Sequence, residues 1–124
     1  MTNQILFIHG GGGGAFKADA LLAASLHTNL GADYHVRYPE MPNDEEPDIQ
    51  IWKRIILDHA REIGERAILA GHSIGASVLL KIFTEPGDKP PIAGLFSISA
   101  PFWHDHEVWR WDEVKLSPDA TQHF

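Results

Sequence analysis

The sequence has no cysteine, and that absence removes three chemistries together: a disulfide framework, a thiolate metal site and a cysteine nucleophile. No apolar run approaches the ~18 residues of a membrane span, and Met1-Thr2-Asn3-Gln4 lacks the basic flank of a signal peptide. These two absences predict a cytoplasmic chain that does not enter a membrane. Positive charge is scarce as well. Ten Lys and Arg stand against seventeen Asp and Glu, and the formal net charge of −7 repels a phosphate backbone, which argues against nucleic acid as a partner. With 124 residues, 44% of them hydrophobic, the chain suits one globular domain with a single core.

Short strand-like runs alternate with helical stretches, a pattern that predicts an α/β fold: an open parallel sheet of about four strands with helices on both faces. Ile5-Leu6-Phe7-Ile8 is an apolar run of strand length that ends in a glycine tract, Gly10 to Gly14. Ala15 to about Leu30 has good helix propensity, with Gly31 as a left-handed stop. Tyr34 to Tyr38 reads as the second strand, and the acidic, proline-bearing stretch from Glu40 to Asp48 as an exposed loop. Ile51, Trp52, Ile55, Ile56 and Ile63 recur at helical spacing after Pro47, which suits a first helical turn. A third strand is expected over Arg66 to Ala70, a helix over Ser73 to Phe83 and a fourth strand over Ile92 to Ser99. Residues 101–124, rich in Trp103, Trp109 and Trp111, read as a cap or tail.

Chemistry concentrates at Gly71-His72-Ser73-Ile74-Gly75, a G-x-S-x-G pattern between an expected strand and an expected helix. With Gly and Ser each near ~7% of residues, the bare pattern turns up by chance in roughly 4% of chains this long, and the strand-turn-helix setting makes it rarer. The glycines permit a turn tight enough to lift the serine hydroxyl out at the top of the sheet. The helix start behind it offers free N–H groups and a positive dipole end. The bland alternative is a serine that merely caps the helix.

The second signal is His9 followed by the glycine tract, which matches the HGGG-type loop that lends a backbone N–H to an oxyanion hole. Gly11 is the expected donor, paired with Ile74, while His9, Gly10, Gly71, His72 and Gly75 are expected to support the site. The same tract formally fits a dinucleotide fingerprint, Gly10-x-Gly12-x-x-Ala15 with Asp33 further on. A phosphate-binding P-loop is excluded, because Lys17 does not follow a glycine directly and no Lys-Ser or Lys-Thr pair exists. His104-Asp105-His106 is too sparse for a metal site, so neither a metal nor a cofactor is expected.

Taken together these residues resemble the α/β-hydrolase superfamily, and within it the small serine hydrolases related to the retinoblastoma-binding serine hydrolase. The likeness rests on Ile5 to Gly10, on Tyr38-Pro39-Glu40-Met41-Pro42 with its acidic loop, and on Gly71 to Ala76. Ser99-Ala100-Pro101 and Trp109-Arg110-Trp111 add to it. The resemblance implies the spatial strand order second, first, third, fourth. It also implies two further strands bearing the acid and histidine of a catalytic triad, so the chain reads as the N-terminal two-thirds of such a hydrolase.

The reading that follows is a serine hydrolase, esterase-like, in which Ser73 attacks a small carboxylic ester or amide. Its histidine partner is not evident: after the elbow only His104, His106 and His123 remain, and His123 is the base the sequence offers. A non-catalytic binding module on the same fold and a nucleotide-binding domain are the alternatives. An uncovered sheet edge is expected to drive self-association.

Overall fold

The computed structural model describes residues 3–101 and 116–118. Seven elements follow one another: β1 (Asn3–Ile8), α1 (Ala15–Leu30), β2 (Tyr34–Arg37), α2 (Ile49–Ile63), β3 (Ile68–His72), α3 (Ile74–Thr84) and β4 (Gly94–Ile98). The four strands form one parallel sheet in the order β2-β1-β3-β4, the order that the family resemblance implies.

Alternation along β1 explains the layering. Successive side chains of a strand face opposite ways. Leu6 and Ile8 join Leu69, Trp52, Ile56, Val78, Leu79 and Phe83 in the larger core, beneath α2 and α3. Ile5 and Phe7 join Ala70, Ala23 and Leu26 in a smaller core beneath α1. Because both faces of β1 are covered, Ile5 to Ile8 is a continuous buried run, and helices do lie on both faces of the sheet. Trp52 is fully buried and its indole N–H donates to the Pro42 carbonyl at 2.7 Å, so the acidic loop is tied to the main core.

Several boundaries differ from the sequence expectation, and three elements show why. Pro47 lies outside α2, whose cap is Asp48: the carboxylate accepts from the amides of Gln50 at 2.9 Å and Ile51 at 3.3 Å. β3 starts and ends two residues later than expected. Ala67 is consumed by a turn in which its amide donates to Gly64, while pairing with β4 carries the strand through to His72 opposite Ile98. β4 begins at Gly94 because Ala93 is held in the connection, its amide donating to Ala67. Among the described residues nothing pairs with the outer side of β4, where Phe96 is 62% exposed.

Candidate active site

The C-terminal ends of β1 and β3 lie side by side, with Ile8 opposite Gly71 as the last paired position. From there the two chains diverge into the glycine ribbon and the serine corner, and the site lies between them.

Ser73 is the corner. Its backbone sits at φ 56°, ψ −121°, a conformation that costs a non-glycine residue of order 1–3 kcal/mol. Two backbone bonds hold it there: the Ser73 amide donates to the Ile98 carbonyl at 2.9 Å, and the Ser73 carbonyl accepts from the Ser77 amide at 3.1 Å. The hydroxyl makes no capping bond to α3, so the plain helix-cap alternative is not what is seen. The side chain is half-buried.

The glycines of the pattern are required by close approach. A carbon added at Gly71 would lie 2.7 Å from the Ala76 nitrogen, and one at Gly75 would collide with the carbonyls of Ile8 and His9. The first lets α3 leave β3 at once; the second lets α3 press its first turn against the end of β1.

The ribbon faces this corner. A carbon at Gly10 would stand 3.3 Å from Ser73 Cβ, and one at Gly11 would run into the Ile74 side chain. Of the ribbon amides, Gly10 donates to Asp19 Oδ2 at 2.8 Å and Gly12 to the Asp44 carbonyl at 2.5 Å. The amides of Gly11 and Ile74 have no acceptor among the described residues.

His9 is fully buried, with its ring edge-on to Phe16, Tyr38 and Trp52. The Met41 amide donates to Nε2 at 2.9 Å, so the proton is on Nδ1, which donates to the Gly10 carbonyl at 2.7 Å. Both ring nitrogens are thus engaged, one with the glycine ribbon and one with the loop after β2. His72 Nδ1 meets Asp19 Oδ2 at 3.0 Å. Tyr38, whose hydroxyl donates to the Phe16 carbonyl, is pushed up to about 12 by burial first and then by the charges of Asp19 and Glu40.

Sequence reasoning missed Asp19. Its signal was an acid four and seven residues ahead of Ala23 and Leu26, in step with the buried stripe of α1. It missed Asp44 as well, which anchors the acidic loop to Gly12. A cleft of about 740 Å³ opens at that loop, lined among the described residues by Asn43, Asp44, Glu45 and Glu46.

Asp33, the acid needed by the dinucleotide alternative, precedes β2, and its carbonyl accepts from the Asn3 amide at the start of β1. That is the opposite end of the strands from the glycine tract, so the fingerprint is formal only. Among the described residues no cluster of three or more His, Asp or Glu could hold a metal ion, and no helix is long and apolar enough to cross a membrane. His104, His106, His123 and the three late tryptophans lie outside the described residues.

The comparisons agree with this architecture. The profile of the alpha/beta hydrolase family matches residues 5–123. The chain belongs to the alpha/beta hydrolase family. Among solved structures it is similar to the crystal structure of a PytH variant, with a TM-score of 0.51 and 24% identity over 81% of this chain. The likeness is one of fold, and the match covers 41% of the length of that protein. No curated protein matches the chain.

Proposed function

We propose that this member of the family is a serine hydrolase that cleaves a small carboxylic ester or amide, with Ser73 as nucleophile. The observation that carries the reading is the strained Ser73 corner set against the Gly10–Gly11 ribbon.

In this scheme the Ser73 hydroxyl oxygen bonds to the substrate carbonyl carbon while its proton passes to a histidine base. The carbonyl oxygen becomes an oxyanion between the amides of Ile74 and Gly11, the two uncommitted donors that flank the corner. Collapse of this intermediate expels the alcohol or amine, which takes the proton back. Water then repeats the sequence on the acyl-serine and releases the acid. With the ring of His9 fully engaged, the base is assigned to the segment after β4, with His123 the candidate from the sequence.

The test is covalent. A fluorophosphonate probe is expected to label the protein at Ser73, mapped by peptide mass spectrometry, and Ser73→Ala to take no label. A parent chain that stays unlabelled overturns the proposal and leaves a non-catalytic binding module on a hydrolase fold.

A further inference from the structure

The ladder between β1 and β3 stops at Ile8 and Gly71, before either the ribbon or the corner begins. Beyond that point the two walls of the site need another connection to keep a fixed separation. Among the described residues one side chain makes it by hydrogen bonding. Asp19 Oδ2 accepts from the Gly10 amide at 2.8 Å and also meets His72 Nδ1 at 3.0 Å. Gly10 is the ribbon residue nearest Ser73, and His72 is the residue before it.

Asp19 is 6% exposed. A buried carboxylate without donors is costly, so the two N–H groups and the oxygen hold one another in place. Asp19 also lies near the start of α1, a rigid helix that packs on the sheet through Ala23 and Leu26. The link is thus anchored in the core, outside the loops it joins. We propose that Asp19 is a positioning residue of the hydrolytic site, fixing through one carboxylate oxygen the distance between the amide-bearing ribbon and the serine corner. This rests on the serine hydrolase reading.

The geometry requires an oxygen at that point, so two substitutions separate positioning from charge. Asp19→Asn retains an oxygen where both N–H groups converge; Asp19→Ala removes it. The experiment measures fluorophosphonate labelling of Ser73 in the full chain, resolved into a binding constant and a maximal rate, beside a thermal melt. The maximal rate is expected to fall about a hundredfold in Asp19→Ala at unchanged binding constant, and to recover to within about threefold of the parent in Asp19→Asn. A purely structural role would lower the melting temperature and the labelled fraction while leaving the folded molecules at the parent rate.

Parent-like labelling by Asp19→Ala overturns the inference and leaves the hydrolase reading intact. A parent chain that takes no label overturns the hydrolase reading itself. Should Asp19→Ala show no cooperative melt, amide exchange in the parent and in Asp19→Asn decides. A Gly10 amide protected about tenfold or more over that of Gly11 in both supports a held ribbon, and an unprotected Gly10 overturns it.

Discussion

Met41 and His9, 32 positions apart, are joined by a 2.9 Å bond from the Met41 amide to Nε2 of the fully buried imidazole. The bond fixes the tautomer, and the tautomer in turn lets Nδ1 donate to the Gly10 carbonyl. One ring therefore orients both the glycine ribbon and the loop after β2. His9→Phe keeps the aromatic contacts but strands the Met41 amide, and is expected to lower unfolding free energy by about 2 kcal/mol in urea titrations.

Gly75 sets the spacing between α3 and the end of β1. Gly75→Ala drives a methyl into two backbone carbonyls that cannot move aside, and is expected to cost about 3 kcal/mol or more. Gly94→Ala is the control, since a carbon there meets only the far edge of the Phe96 ring at 4.0 Å. Its unfolding midpoint is expected to stay near that of the parent.

Tyr38 gives a pH dependence. Its ordinary value is 10.0 and in the folded chain it rises to about 12, so between those limits the unfolded chain loses the proton while the folded chain keeps it. Stability from this group is complete below pH 10 and declines as pH climbs toward 12. Denaturant titrations across that window are expected to show the decline in the parent and a smaller one in Tyr38→Phe.

The outer side of β4 carries Phe96, 62% exposed, and pairs with nothing among the described residues. Such an edge recruits other strands. Sedimentation at tens of micromolar is expected to show self-association in the parent, weakened in Phe96→Lys. A parent chain that sediments only as a monomer would contradict this.

The elements were legible where local pattern decides. Ile5 to Ile8 is a continuous apolar run because both faces of β1 are covered, and the Ser73 elbow announces itself because only glycine fits at 71 and 75. What was not legible depends on distant partners. The two-residue shift of β3 comes from a turn at Gly64 and Ala67 together with pairing to β4. The sequence puts His72 among the residues around the elbow but names no partner for it; that partner, Asp19, is 53 residues earlier on another element. Likewise Gly11 was named from the sequence, but the partners that occupy the amides on either side of it, Asp19 and Asp44, were not.

The single peptide hydrogen bond from Ser73 to Ile98 has a mechanical reach. It fastens the strained corner to β4, whose outer side pairs with nothing among the described residues, so any displacement of that strand is passed to the backbone of the serine.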